Sequence, residues 1–209
     1  MIAIVAGGSG LVGSELVRLL ITHPKVTRVI AVGRTPPAVA PTPKLESITF
    51  EALSERTERF ESGLAGAAAF CALGTTIRKA GSREEFRAVD FDLVVAFARD
   101  AHRLGVRRFS LVSATGADSK SFIFYNQVKG ETEAAVQGIG FERLDIHRPA
   151  LLVGAPGRER REFRRGEAAA VRAVSWIERF LPSAPWLDRL RTPADHLAQQ
   201  MVTRLLDLG

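Results

Sequence analysis

A glycine-rich turn near the beginning of the chain places the strongest constraint on its fold. The apolar run over residues 2–6 leads into Gly7-Gly8-Ser9-Gly10-Leu11-Val12-Gly13, and residues 11–21 then carry apolar side chains at helical spacing. Gly7, Gly10 and Gly13 match G-x-x-G-x-x-G between a predicted strand and a predicted helix. Such glycines allow a tight turn and close approach to a pyrophosphate, which the N–H groups of the helix N-terminus then bind. A plain turn is the alternative, but the strand-turn-helix context favours a dinucleotide site.

Strand-like and helix-like segments alternate along the rest of the chain. Apolar runs predict strands over residues 28–32, 47–50, 67–73, 108–112 and 141–146, and helical spacing predicts helices over 83–104, 122–137, 165–181 and 194–207. This order predicts a Rossmann-type doubly wound parallel sheet, a three-layer α/β/α arrangement. We expect one domain over residues 1–209, with a small C-terminal substrate or lid portion from about residue 154.

Composition narrows the classes of protein and of partner. The single cysteine, Cys71, and an N-terminus without a basic leader predict a cytoplasmic protein, and no apolar run is long enough to predict a membrane span. A net charge of +6 suits anionic partners, but no nucleic-acid-binding motif is present, so we expect none. The four histidines are scattered and predict no metal site. The sequence leaves a monomer or a homodimer open.

Arg34 follows the second predicted strand, where NAD-preferring sites usually carry an acid that binds the ribose 2′-hydroxyl. No Asp or Glu occurs between Glu15 and Glu46. A guanidinium forms paired, charge-assisted hydrogen bonds with a phosphate, so Arg34 favours NADPH, and NAD is the less favoured cofactor. The alternative is an ordinary surface arginine.

Tyr125, the only tyrosine, precedes Lys129 by four residues on a predicted helix. Residues at this spacing share a helix face, and a nearby ammonium favours the phenolate, so Tyr125 can exchange a proton near neutral pH. Ser113 lies at the end of the preceding predicted strand, where its hydroxyl can polarise a substrate carbonyl. Thr115 is the alternative hydroxyl, and Ser113 capping the loop is the alternative role.

Several of these motifs occur together in one known family. They are residues 7–13, Cys71-Ala72-Leu73-Gly74-Thr75-Thr76, Lys79-Ala80-Gly81, Val89-Asp90, Ser113-Ala114-Thr115-Gly116-Ala117-Asp118, residues 125–131 and Arg148-Pro149. Through them the chain resembles an atypical short-chain dehydrogenase/reductase of the Tat-interacting-protein-like branch, over nearly its whole length. Two positions depart from the wider family: Asp90 stands where many relatives outside this branch carry asparagine, and Ala114 stands where a second hydroxyl often occurs.

The resemblance implies a cofactor site and a catalytic group. The cofactor contacts it implies are Gly7, Ser9, Gly10, Leu11, Val12, Gly13, Arg34, Leu73, Gly74, Thr75 and Lys129. It implies Tyr125 and Lys129 as the catalytic pair, with Ser113 beside them. We therefore expect an NADPH-dependent oxidoreductase that acts on a small carbonyl compound or alcohol by hydride transfer. A non-catalytic NADPH sensor is the alternative, because dinucleotide-binding folds host both roles.

Overall fold

The apolar run that precedes the glycine turn becomes the strand β1 (Ile2–Ala6) in the middle of a parallel sheet. The computed structural model describes residues 1–57, 64–154 and 191–207. The other strands of this sheet are β2 (Arg28–Val32), β3 (Leu45–Ile48), β4 (Ala68–Cys71), β5 (Arg108–Val112) and β6 (Arg143–His147). Their order is β3-β2-β1-β4-β5-β6 and every pair is parallel. This is the doubly wound Rossmann order that the sequence predicts.

Helices connect the strands and cover both faces of the sheet. They are α1 (Leu11–Thr22), α2 (Phe50–Thr57), α3 (Ile77–Ala80), α4 (Arg83–Arg87), α5 (Val94–Arg103), α6 (Phe124–Gln137) and α7 (Ala194–Val202). A π-helical segment, Ala88–Leu93, joins α4 to α5, and a second one, Thr203–Asp207, follows α7. Two short strands, β7 (Leu151–Val153) and β8 (Arg191–Pro193), form a separate parallel pair.

Alternating strand residues supply two hydrophobic cores, one on each face of the sheet. On one face, strand residues such as Val5 and Phe70 pack with α1 and α7. On the other, strand residues such as Ile4 and Phe109 pack with α5 and part of α6. Both faces of the central strands are therefore apolar, as the near-continuous hydrophobic runs of a parallel sheet require.

Some element boundaries differ from the sequence prediction for local reasons. The third strand covers Leu45–Ile48 instead of residues 47–50, because the Thr49 hydroxyl accepts the N–H of Ala52 and the helix α2 begins at Phe50. The helix α6 begins at Phe124, two residues later than predicted, since the Ser121 hydroxyl holds the N–H of Ile123 in the preceding turn. The predicted helix over 165–181 and the arginine-rich loop at 157–165 lie outside the described residues.

Candidate functional site

The glycine turn brings the backbone of β1 close to the segment after β4. Gly7 has φ +81°, and a methyl group added there would lie 2.6 Å from the carbonyl oxygen of Ala72. A methyl group at Gly13 would lie only 2.1 Å from the Gly7 oxygen. Gly10 precedes α1 and no side chain caps the helix, so the first N–H groups of α1 face the turn. These features fit a pyrophosphate, which needs close backbone approach and N–H donors.

A cleft opens beside this turn at the carboxyl ends of β2 and β3. Its volume is about 130 Å³, and its polar lining includes Arg34, Thr35, Ser47 and Thr49. Gly8 from the glycine turn also lines it. Arg34 is exposed, so its guanidinium is accessible to a ligand. A cation with hydroxyl groups around it suits a phosphate monoester.

A buried ion pair connects the segment after β4 with the helix α6. The Nζ atom of Lys129 lies 2.6 Å from Oδ1 of Asp90, and the residues are 6% and 0% exposed, respectively. The other carboxylate oxygen accepts the N–H of Thr75 at 2.8 Å. Burial raises the pKa of Asp90, and the Lys129 ammonium acts against that rise. A methyl group at Gly74 would lie 3.3 Å from the same Oδ1 atom, so the pair fills the space beside this glycine.

The π-helical segment Ala88–Leu93 is the element that carries Asp90. Such a segment widens one turn of the helix, and single π turns occur frequently at functional sites. The hydroxyl of Thr132 on α6 donates to the main-chain oxygen of Asp90 at 2.9 Å, which fixes the two elements together. Sequence reasoning noted Asp90 as a departure from the wider family but gave it no role. An acidic residue among the apolar residues of a long helix is the only signal that pointed to it.

Tyr125 lies one helical turn before Lys129 on α6, so the two residues share a face of the helix. The tyrosine is half-buried, and its ring centroid lies 5.5 Å from that of Phe86 on α4. Two elements thus hold both the ion pair and the tyrosine. One is α6, and the other is the continuous run of α4, the π-helical segment and α5. Their packing defines the position of the Tyr125 ring.

The structure distinguishes the two candidate hydroxyl residues after β5. Ser113 is 6% exposed, and within the described residues its Oγ atom has no hydrogen-bond partner. Thr115 is exposed, and its hydroxyl donates to the main-chain oxygen of Arg148 at 3.0 Å. Of these two residues, Ser113 is therefore the one whose hydroxyl is both buried and uncommitted within the described residues. Because buried hydroxyls are normally hydrogen-bonded, this geometry favours Ser113 as the group that meets a ligand.

The loop after β5 packs directly on α6. The main-chain N–H of Asp118 donates to the main-chain oxygen of Asn126 at 3.0 Å, and Gly116 lies against the Asn126 side chain. Gly130 lies so close to this loop that a methyl group there would be 2.1 Å from the Ser119 nitrogen. These contacts hold the Ser113 end of β5 and the Tyr125 end of α6 at one edge of the sheet, where open α/β sheets bind ligands.

Comparison with known proteins identifies the family. A family model described as NAD(P)H-binding matches residues 7–137, from the glycine turn to the end of α6. The chain belongs to this NAD(P)H-binding family. Protein HTATIP2 of Rattus norvegicus is 33% identical over 212 residues and covers 98% of this chain and 81% of the relative. The relatives include the branch that the sequence motifs resemble, and the resemblance is confirmed.

Solved structures share the fold at low sequence identity. A UDP-glucose 4-epimerase from Thermotoga maritima has a TM-score of 0.69 at 16% identity, over 99% of this chain and 74% of that one. A short-chain dehydrogenase/reductase of the wide type from Veillonella parvula, in complex with NADP, has a TM-score of 0.60 at 13% identity, over 100% and 88%. At these identities the likeness establishes the Rossmann fold and leaves the activity to be argued from the site.

The same comparisons contradict the predicted cytoplasmic location, which is wrong. A relative from Emericella nidulans, 37% identical over 170 residues that cover 78% of this chain and 70% of the relative, is named Protein fmp52, mitochondrial. The cysteine content of a chain does not distinguish one reducing compartment from another, so it could not decide this location. Within the described residues, no helix has the length and apolar character that a membrane span needs.

Proposed function

We propose that this protein is an NADPH-dependent oxidoreductase that acts on a small carbonyl compound or alcohol. The observation that carries the proposal is the meeting, at one sheet edge, of the glycine turn with the buried Asp90–Lys129 pair and the uncommitted Ser113 hydroxyl. A protein that only stores or senses a dinucleotide needs the glycine turn alone. A lysine one helical turn from a tyrosine supports proton transfer by that tyrosine.

Each side chain has a distinct task in this proposal. The bound cofactor supplies or accepts the hydride. Ser113 donates a hydrogen bond to the substrate oxygen and orients it toward Tyr125, which exchanges the proton with that oxygen. Lys129 stabilises the charge that appears on the phenol oxygen, and it also donates a hydrogen bond to the nicotinamide ribose.

Arg34 would determine the preference for NADPH by binding the 2′-phosphate. We expect Arg34→Ala to weaken NADPH binding by about 10- to 100-fold, the loss of one or two charge-assisted hydrogen bonds, and to leave NADH binding nearly unchanged. Calorimetric titration with both dinucleotides measures this. Arg99→Ala is the matched control, since it removes the same charge from an exposed position on α5 outside the cleft. Equal affinities of the wild type for NADPH and NADH would contradict the preference.

Turnover distinguishes an enzyme from a sensor. We expect the wild-type protein to oxidise NADPH in the presence of at least one class in a panel of small aldehydes and ketones. Tyr125→Phe should lower kcat by about 100-fold or more, which is the usual contribution of a general acid, while NADPH affinity stays within about threefold. If NADPH binds tightly and the panel, run at substrate saturation, gives no rate above that of Tyr125→Phe, the sensor function is correct.

A further inference from the structure

The carboxylate of Asp90 gives the Lys129 ammonium a partner of opposite charge inside the protein. The two groups lie 2.6 Å apart, and Asp90 also holds the N–H of Thr75. The pair has no net charge, whether the proton between the two groups lies on the Lys129 nitrogen or on the Asp90 oxygen. The field of such a pair falls with distance much faster than the field of a lone ammonium. The usual argument that a lysine one turn away converts a tyrosine to its phenolate is therefore weakened in this protein.

We propose that Asp90 is a positioning residue that fixes Lys129, offsets its charge at Tyr125 and so keeps the Tyr125 phenol protonated at neutral pH. The proposal rests on the function assigned above to Tyr125. It also gives a role to Asp90 at the position where many members of the wider family carry asparagine. An amide in this place would hold the lysine in position but leave its positive charge uncompensated.

The charged groups on the elements that pack around Tyr125 include Glu131, Arg87, Arg83, Asp118 and Lys120. On α6, Glu131 is in an ion pair with Arg87 from α4, at 2.5 Å. Arg83 on α4 lies over the ring of Phe124, at 5.0 Å from its centroid. Asp118 and Lys120 of the loop after β5 are exposed to solvent.

Cys71, at the end of β4, is a further titratable group beside the ion pair. Burial raises the pKa of its thiol to about 12, so it is neutral at physiological pH. In this proposal, the charges that determine the electrostatic balance at the phenol are those of the buried pair, Lys129 and Asp90.

The protonation state of Tyr125 determines which reaction direction the free enzyme is ready to begin at neutral pH. In carbonyl reduction, the carbonyl carbon gains a hydride from reduced nicotinamide, and the oxygen gains the Tyr125 proton. The nicotinamide C–H bond that supplies the hydride, the C=O π bond and the phenol O–H bond would break, a C–H bond and an O–H bond would form on the substrate, and the nicotinamide would be left oxidised. The tyrosinate then takes a proton from solvent. A phenol that stays protonated can begin this step directly, whereas alcohol oxidation first needs the phenolate. The proposal thus assigns the site to carbonyl reduction.

Tyr125 is the only tyrosine, so its ionisation can be measured directly in the protein without cofactor or substrate. Tyrosinate absorbance in the near ultraviolet is followed as pH is raised, with Tyr125→Phe as the blank. We expect the wild-type midpoint to lie near the ordinary tyrosine value of about 10. In Asp90→Asn the midpoint should be lower by about 1–3 pH units, because the ammonium is then uncompensated.

Two further variants identify the source of the shift. The double variant with Asp90→Asn and Lys129→Met should return the midpoint to within about half a pH unit of the wild type, since both charges are then gone. Glu131→Gln is the matched control: it removes a carboxylate from the same helix, in a solvent-accessible ion pair, and should move the midpoint by less than about half a pH unit.

Either of two results overturns the proposal. One is a wild-type midpoint below about 8, which would mean that Lys129 lowers the phenol value despite Asp90. The other is an equal midpoint in the wild type and Asp90→Asn. The wild-type measurement is decisive even if Asp90→Asn fails to fold. Because no turnover is measured, failure here is separable from failure of the oxidoreductase function, which only the NADPH and carbonyl assays test.

Discussion

His147, the last residue of β6, shows how the environment of a single side chain sets a response to pH. It is 6% exposed, and its Nε2 atom has no hydrogen-bond partner within the described residues. Burial lowers the pKa of the imidazole from 6.5, the nearby Arg204 lowers it further, and Asp145 acts in the opposite direction. The folded protein therefore holds His147 neutral. Protonation of this residue is easier in the unfolded chain.

The stability that depends on His147 is present in full above pH 6.5 and is lost as pH falls through the lowered pKa. We expect His147→Gln to reduce the loss of unfolding free energy between pH 7.5 and pH 5, because the variant has no imidazole to protonate as the pH falls. Urea unfolding at several pH values measures this. His196→Gln, at an exposed position on α7, should keep the wild-type dependence. An unchanged pH dependence in His147→Gln would contradict the assignment.

At the scale of elements, the helix α6 is held from two sides at its functional end. The loop after β5 packs on it through the contacts of Asp118 and Ser119. From the segment directly after β6, the Nε atom of Arg148 donates to Glu133 at 2.9 Å. The position of Tyr125 and Lys129 therefore depends on the close packing of α6 on the loop after β5, which leaves no room for a side chain at the contact.

Gly130 supplies that gap, and adding one methyl group tests it. Gly130→Ala should lower the free energy of unfolding by about 1–3 kcal/mol, although alanine has the better helix propensity, because the loop backbone must move. Gly138→Ala is the matched control at the end of the same helix, where the nearest atom would be 3.5 Å away and φ is −68°. It should be neutral or stabilising by up to about 1 kcal/mol. Equal effects in urea unfolding would show that the loop does not constrain α6.

On the scale of the whole molecule, the end of the described chain closes the first of the two cores. The helix α7 packs against α1, and the π-helical segment after it buries Leu205 and Leu206 in the same core. The sequence prediction placed these residues in the C-terminal substrate or lid portion. In the structure, residues 194–207 pack on the Rossmann core itself, and residues 155–190 lie outside the described part.

Leu205→Ala tests this closure, because its side chain is fully buried on the core that α1 and α7 share. We expect a loss of about 2–5 kcal/mol of unfolding free energy, which includes the cavity that the substitution leaves. Ile77→Ala, at a position that is 40% exposed, should cost less than about 1 kcal/mol. A small loss at Leu205 in chemical denaturation would mean that the C-terminal segment contributes little to the core.

The sequence by itself determined the features that depend on neighbouring residues. Apolar runs gave β1, β2 and β5 their bounds, and the glycine spacing predicted the turn at residues 7–13. These are local because backbone sterics and side-chain periodicity act within a few residues. The alternation of strands and helices predicted a doubly wound parallel sheet, since the handedness of crossovers leaves few topologies. The sequence also pointed to Tyr125, Lys129 and Ser113 as a group.

Only the tertiary structure decided which side chains meet. It paired Asp90 with Lys129, left the Ser113 hydroxyl uncommitted while it engaged Thr115, and buried His147. These outcomes depend on how far apart two elements pack and on a helix turn that widens by one residue. A buried charge is tolerated only where a partner lies within contact distance, and residues distant in the chain supply that partner. The sequence specifies the identity of each residue, but the packing of the elements determines the electrostatic environment of its side chain.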